Sequence, residues 1–140
     1  MKVTIWMVIG LIFCLIFLDI FVVYSAREKI NAVAEQSLDA AMVAGIVSDD
    51  VMRGQLYIDE TNGRQSALNL FVENMGLDLS LQNEYMKNTV FDLTFSKIGE
   101  RPKASLHIET YIQAMSTRLV GLGGIPMRIT KDRYHISSFK

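Results

Sequence analysis

The 140-residue chain contains few of the residues from which catalytic and metal sites are usually built. It has one cysteine, Cys14, and two histidines, so it can form neither a disulfide framework nor a cysteine-based zinc site. The formal net charge is −1, which argues against a nucleic-acid binder that depends on an overall basic charge. Because no recognisable catalytic constellation is present either, we expect a protein that is not an enzyme and that binds no cofactor, metal or nucleic acid.

Apolar sequence, in contrast, is abundant near the N-terminus. Residues 3–23 form a nearly unbroken apolar run of 21 residues, of which 15 are Leu, Ile, Phe or Val. As a helix this run is about 31 Å long, which matches a hydrocarbon core about 30 Å thick. The favourable free energy of inserting these 15 side chains into a membrane outweighs the cost of roughly 3 kcal/mol for inserting Asp19. The run therefore predicts a single transmembrane helix, and we assign residues 1–26 to an anchor in membrane lipid.

A cleaved signal peptide is the alternative interpretation of the same run, with residues 23–25 as a small-residue cleavage site. We disfavour it because the run exceeds the usual core of roughly 7–15 residues and because Asp19 interrupts it. Orientation is weakly encoded, since Lys2 precedes the run and Arg27 and Lys29 follow it. We expect a signal-anchor in the cytoplasmic (inner) membrane, with the N-terminus in the cytoplasm and the following domain outside it.

Asp19 is the one acidic residue within the apolar run. It lies about four residues, or roughly 6 Å, from the outer end of the predicted span. In the simpler interpretation the carboxyl group reaches the lipid headgroups or is protonated. In the other interpretation it marks a helix–helix contact in an assembly, where a donor on a partner satisfies it.

The predicted helix continues beyond the membrane as an extended amphipathic helix over residues 27–50. Residues 25–47 contain no proline and no glycine before Gly45, and they are rich in alanine. Small and apolar residues recur there at three- and four-residue steps. With the apolar run, they predict a rod over residues 3–48 about 69 Å long. We expect this face to pack mainly on the chain's own sheet and secondarily between copies, through Ile30, Val33, Ala34, Ala41, Ala44 and Gly45.

Residues 51–140 are predicted to form an extracytoplasmic domain with an antiparallel sheet, which makes the chain α+β. Leu68, Phe71, Val72 and Met75 fall at helical spacing before Gly76 and predict a short helix over residues 64–75. Strict alternation over residues 90–97 and 104–114 predicts a hairpin with one solvated face. The remaining expectations are a short strand at 55–59, a turn at 61–63, and a connection with an apolar knuckle at 116–124. We also expect a last strand with a bulge or turn at Asp132.

The solvated face of this hairpin is the candidate surface for a partner. It carries His107, Glu109 and Tyr111, which alternate with the apolar residues of the same strand. A metal or catalytic role would require His107 and His135 to converge with a carboxylate, which their spacing does not show. We expect both to be ordinary solvated histidines. The glycines near residue 123 lack the lysine and the helix of a phosphate-binding loop and predict a turn.

Two segments resemble a known family. Residues 35–45 (EQSLDAAMVAG) are similar to the alanine-rich stretch of TadE/TadG-like proteins, which function in Tad (Flp) pilus assembly. Residues 108–111 and 119–127 resemble the strand, turn and strand near the end of those proteins. The resemblance implies a pilin-like ground plan, in which a transmembrane helix continues into a long helix packed on a small sheet. It also implies pilin-like or secretion-machine partners, in hetero- or homo-oligomers.

The chain departs from standard prepilins at the processing site. Those proteins carry a glycine followed by a hydrophobic run with glutamate at its fifth place, whereas Gly10 is followed by residues 11–15 without a glutamate. The departure favours a membrane-resident minor component or assembly factor, which is our first hypothesis. A membrane-anchored sensory or adhesin-like binding domain is the alternative, and a membrane-tethered enzyme is a third, less favoured one.

Overall fold

The computed structural model describes residues 2–47, 57–98 and 101–134. A long helix, α1 (Lys2–Gly45), is followed by a two-stranded ladder of β1 (Ile46–Val47) and β2 (Tyr57–Ile58), and then by α2 (Glu60–Met75). A three-stranded antiparallel sheet follows, in the order β3 (Met86–Ile98), β4 (Arg101–Ile112) and β5 (Ile125–Tyr134), with the short α3 (Met115–Leu119) between the last two. The predicted α+β fold, with a long helix packed on a small antiparallel sheet, is confirmed.

The two halves of α1 have different surroundings. Nearly all side chains of residues 3–22 are exposed, whereas a stripe on residues 30–42 is buried. The helix ends at Gly45, three residues earlier than the predicted rod, because Ile46 and Val47 pair with Ile58 and Tyr57. The Asp59 N–H also donates to the Gly45 carbonyl at 2.7 Å. The predicted end of the rod at residues 48–50 lies outside the described residues.

The second helix begins earlier than its hydrophobic spacing indicates. The prediction of a turn at residues 61–63 is wrong, because the Asp59 carboxylate caps the helix and accepts from the Asn62 N–H at 3.0 Å. Gly63 lies in the first turns of α2 and lets α2 approach α1 closely. A Cβ there would lie 2.9 Å from the Ala41 carbonyl oxygen and 2.8 Å from the Phe95 ring. The helix ends as predicted, with Gly76 in the left-handed conformation at φ 63°.

The sheet is longer and more regular than the predicted one. The residues of β4 alternate between buried and half-exposed positions, as the period of two predicts. The prediction of a bulge or turn at Asp132 is wrong, since β5 pairs with β4 without a register shift and Asp132 lies opposite Ser105. The irregularity lies in β3 instead, where Asn88 and Thr89 interrupt the register. The buried hydroxyls of Thr89 and Thr110 are hydrogen-bonded there at 2.9 Å.

The core lies between the C-terminal half of α1, α2 and the inner face of the sheet. Phe71 of α2 packs on Phe91 of β3 with ring centroids 5.0 Å apart. The small-residue end of α1 packs on α2 as well as on the sheet, which corrects the expectation that the sheet is the main partner of this face. The reason is steric, because Ala41, Gly45 and Gly63 leave room for two backbones to approach.

Candidate functional site

The most distinctive geometry lies where α1 leaves the α/β domain. Asp19 is only 7% exposed although it lies within the apolar run. Its Oδ1 accepts the backbone N–H of Met115 at 2.8 Å, and its Oδ2 accepts that of Ser116 at 3.0 Å. These two N–H groups belong to the first turn of α3, which has no acceptors for them within the helix. A carboxylate of α1 therefore holds α3 against that helix.

This contact differs from both interpretations of Asp19 drawn from the sequence. The carboxylate neither extends alone toward headgroups nor depends on a second chain for its donors. It satisfies two donors that come from residues nearly one hundred positions later in the same chain. A polar group in an apolar environment needs such partners, because an unpaired one costs several kcal/mol. The contact thus explains how Asp19 is accommodated in the apolar run.

The remaining contacts of α3 close its first turn and join it to the loop before β3. The Thr117 hydroxyl donates to the Ala114 carbonyl at 2.8 Å and accepts from the Ala114 N–H at 3.0 Å. The Arg118 guanidinium donates to the Glu84 carboxylate at 3.2 Å and to the Glu84 carbonyl at 2.6 Å. It also lies 5.8 Å from the centre of the Tyr85 ring. Although α3 has only five residues, hydrogen bonds join it both to α1 and to the loop before β3.

Two grooves flank α1 at this level. One, of about 380 Å³, lies between α1 and the α3 end of the sheet and is lined by Asp19, Val23, Tyr24, Arg27, Ser116 and Ile125 among others. The other, of about 370 Å³, lies between α1 and the loop before β3 and includes Phe21, Ser25, Lys29, Asn83 and Tyr85. In both grooves apolar side chains lie beside a single cation. The surface around α1 at the level of Asp19 is therefore mainly apolar, with one basic residue in each groove, Arg27 or Lys29.

Within the described residues, α1 is the one helix long and apolar enough to cross a membrane. The span Val3–Gly45 contains a window of mean hydropathy 2.8, and only 6% of that window is buried. Cys14 lies within this part of the helix and is exposed. By length and composition α1 is thus a candidate membrane anchor.

The outer face of the sheet carries the residues predicted to bind a partner. The His107 ring contacts Thr130 through Nδ1 at 2.9 Å and Glu109 through Nε2 at 3.1 Å. Glu109 also accepts from Arg128 Nε at 2.8 Å. Tyr111 lies further along β4 and remains exposed, whereas His135 lies outside the described residues. The structure thus arranges His107, Glu109 and Tyr111 along one solvated strand, with the first two linked to each other and to β5.

Basic residues of β5 bind acidic groups of the same chain. Lys131 contacts Glu35 at 2.8 Å, and Arg133 contacts Asp39 at 2.7 Å, so two ion pairs tie β5 to α1. The hydrogen bond and charge of Lys131 hold the pKa of the Glu35 carboxyl below its ordinary value. These exposed pairs leave Lys131 and Arg133 less available to an acidic partner.

A third pair, between Lys103 and Asp132 at 3.0 Å, links β4 to β5. Hydrogen bonds from Ser105 and then from Lys103 lower the pKa of Asp132, and the bond to Asp132 raises the pKa of Lys103. The Lys103 ammonium also lies 5.5 Å from the centre of the Tyr134 ring. Asp132, which was expected to interrupt the last strand, thus joins β5 to β4.

The predicted packing face of α1 is largely in contact with the rest of the chain. Ile30, Val33, Ala34 and Ala41 are buried in the core, and Gly45 is buried against α2. Ala44 is half-buried, and its carbonyl accepts from the Asn62 side chain at 3.1 Å. These intramolecular contacts occupy most of the face that was also expected to pack between copies.

The possible metal ligands of the described residues are dispersed. In the part of the chain that the structure describes, no group of three or more His, Cys, Asp or Glu residues could hold a metal ion. His107, the histidine within that part, has Thr130 and a single carboxylate, Glu109, as its hydrogen-bonding neighbours. The contacts of His107 with Thr130 and of Glu109 with Arg128 link β4 to β5.

In comparisons with known proteins, no family model, no curated protein and no solved structure matches this chain. The resemblance to TadE/TadG-like proteins therefore stays an expectation drawn from its two motifs. Sequence reasoning missed the contact between Asp19 and α3, and no local pattern could have revealed it, because its two sides are far apart in the chain. The signal that the sequence offered was Asp19 itself, an acidic residue in an apolar run that requires a hydrogen-bonding partner.

Proposed function

We propose that the protein is a non-enzymatic, single-pass membrane component of a Tad-type pilus or secretion apparatus, with the architecture of a pseudopilin. The observation that carries the proposal is the division of α1. One continuous helix of 44 residues has an exposed apolar half and a half buried in a small α/β domain. This arrangement supports the pilin-like ground plan that the sequence motifs imply.

The physical argument concerns the exposed half. Large apolar side chains cover residues 3–22 on all sides of the helix. Soluble proteins rarely leave so continuous an apolar surface in water, and a helix of this length suits a bilayer. We therefore place α1 in the cytoplasmic membrane and the α/β domain outside the cytoplasm, where the outer face of the sheet is available to pilin-like or secretion-machine proteins.

The decisive experiment is deletion of the gene in the source organism, followed by complementation. The wild type is compared with the triple variant His107→Ser, Glu109→Ser and Tyr111→Ser. A matched control replaces exposed residues of α2, Glu73→Ser and Asn74→Ser. We expect the triple variant to reach the wild-type level in membranes but to lose pilus or secretion output, whereas the control restores it.

The outcomes separate this function from the alternatives. Normal pilus and secretion output in the deletion strain would overturn the proposal and would favour a sensory or adhesin-like domain. A triple variant that complements fully would remove the outer sheet face from the mechanism. Zinc bound by the purified protein, and lost together with function in a His107/His135 double variant, would support an enzyme instead.

Anchoring and orientation are tested separately. We expect the protein to remain in the membrane fraction, and N-terminal sequencing of the mature protein checks this. A start at Ala26 would contradict the anchor, and a start at Leu11 would indicate prepilin-type processing. A reporter fused after Lys140 that is active only in the cytoplasm should be silent, because we place the domain on the other side.

A further inference from the structure

The stretch around α3 brings four exposed apolar side chains together within eight residues of the chain. Met115, Leu119, Val120 and Leu122 are 59%, 72%, 71% and 60% exposed. We call these four residues the α3 knuckle. Met115 and Leu119 are four residues apart and so share one face of α3. Four neighbouring apolar side chains in water are unfavourable, which raises the question of what covers them.

The depth of the knuckle follows from its contact with α1. Trp6 and Tyr24 are both exposed, and they lie 18 positions apart, which corresponds to about 27 Å along the helix. Exposed aromatic residues at this separation match the two interfaces of a bilayer. Asp19 lies five residues below Tyr24, or roughly 7 Å toward the bilayer centre. Since the Asp19 carboxylate binds the N–H groups of Met115 and Ser116, α3 lies at that same depth.

We propose that the α3 knuckle inserts into the outer leaflet beside α1, so that the bilayer itself covers these four side chains. The inference rests on the membrane anchoring within the proposed function and adds a second point of contact with lipid. It follows from continuity, because the exposed apolar surface of α1 leads directly to α3 at Asp19. From Trp6 to Asp19 the helix rises only about 20 Å. A hydrocarbon core of about 30 Å therefore extends beyond Asp19, and α3, which lies at the depth of Asp19, falls within it.

The polar groups of this segment are compatible with lipid. The first two N–H groups of α3 are accepted by Asp19. Beyond α3, the N–H groups of Val120, Gly121 and Leu122 donate to the carbonyls of Ser116, Arg118 and Thr117. Backbone groups within a bilayer need such internal partners. The one cation of the segment, Arg118, is directed to Glu84 and Tyr85 of the neighbouring loop.

The test uses the full chain in nanodiscs that hold one copy each, with spin-labelled phosphatidylcholine as the quencher. In a Cys14→Ser background, a fluorophore is attached at Leu119→Cys, at Leu122→Cys, or at Val43→Cys as the control. Val43 is an equally exposed apolar residue of α1 at the other end of the domain. We expect at least about a two-fold quenching at positions 119 and 122, as for groups roughly 5–10 Å deep in the interface, and none at 43.

A second preparation distinguishes this inference from the anchor itself. There the fluorophore is attached to the native Cys14, which lies in the exposed apolar half of α1. Quenching at Cys14 without quenching at positions 119 and 122 would overturn the inserted knuckle but would leave the anchor intact. It would show that the knuckle lies outside the lipid when the chain is alone in the bilayer. No quenching at Cys14 would overturn both the anchor and the insertion.

Discussion

The two halves of α1 place similar residues in opposite environments. Ile12 in the N-terminal half is 50% exposed, whereas Ile30 in the C-terminal half is fully buried. The N-terminal half is covered by large side chains in all directions, and the C-terminal half carries a stripe of small residues. That stripe permits α2 and the sheet to approach the helix backbone. The comparison teaches that apolar character alone does not decide whether the chain itself buries a helix, because only the half with small residues lets other segments approach it closely.

The boundary between the halves is a specific contact. Asp19 lies in the apolar half by sequence, yet it belongs to the α/β domain by its hydrogen bonds to α3. The domain therefore begins below the end of the apolar run. Substitutions on either side of this boundary test the division of α1, with the largest effect expected in the core of the domain and the smallest at its exposed ion pairs.

Replacing the same residue type in each half should give the largest contrast. Ile30→Ala creates a cavity in the core and should lower the free energy of unfolding by about 2–5 kcal/mol. Ile12→Ala removes a side chain that the domain does not contact and should change it by less than about 0.5 kcal/mol. Urea unfolding of the full chain in detergent measures both. Equal effects would contradict the division of the helix.

Added bulk on the small-residue stripe should weaken the contact between α1 and α2. Ala41→Leu should destabilise the domain by about 1–3 kcal/mol, because Ala41 is fully buried and its backbone lies against Gly63. Val43→Leu, on the exposed side of the same helix turn, is the control and should change stability by less than about 0.5 kcal/mol. If Ala41→Leu left both stability and crosslinked complexes unchanged, the small-residue face would not be a packing face.

Removal of the Asp19 carboxylate should release α3 from α1. Asp19→Ala leaves two N–H donors without their acceptors and should cost about 1–3 kcal/mol locally. Asp19→Asn keeps one acceptor oxygen and should have the smaller effect. Hydrogen exchange at the Met115 and Ser116 amides provides the measurement. Unchanged protection in Asp19→Ala would show that other contacts hold α3 in place.

The smallest effect concerns the pH dependence of the ion pair between Glu35 and Lys131. Because the pKa of Glu35 is lowered in the folded state, the unfolded chain binds more protons near the ordinary glutamate pKa of about 4.3. This stabilisation is present above that pH and is lost as the pH falls through the folded pKa. Glu35→Gln should remove this pH-dependent contribution to the free energy of unfolding, and Lys131→Gln should reduce it.

The readout is the difference in unfolding free energy between the wild type and Glu35→Gln at pH values from about 6 down to 3. The difference should shrink as the pH decreases, and it should be small throughout, because both side chains are partly exposed. A difference that grows toward acid pH would contradict a lowered pKa of Glu35 in the folded state.

Local patterns in the sequence predicted much of the fold. The apolar run, the alternation along residues 104–112 and the Gly76 cap predicted the long helix, the central strand and the end of α2. Each depends on a period or a conformational preference that neighbouring residues express by themselves. Errors arose where a distant contact overrides the local preference. Gly63 favours a turn locally but serves close helix packing, and Asp132 resembles a strand break but pairs across the sheet.

By itself the sequence determined the α+β class, the apolar helix and the solvated strand that carries His107, Glu109 and Tyr111. Only the tertiary structure decided what each apolar surface meets. It brought α3 to Asp19 across most of the length of the chain, and it placed the α3 knuckle beside the exposed apolar half of α1. The physical reason is that a period specifies which side chains share a face, whereas the neighbour of that face depends on packing between segments that no local pattern relates.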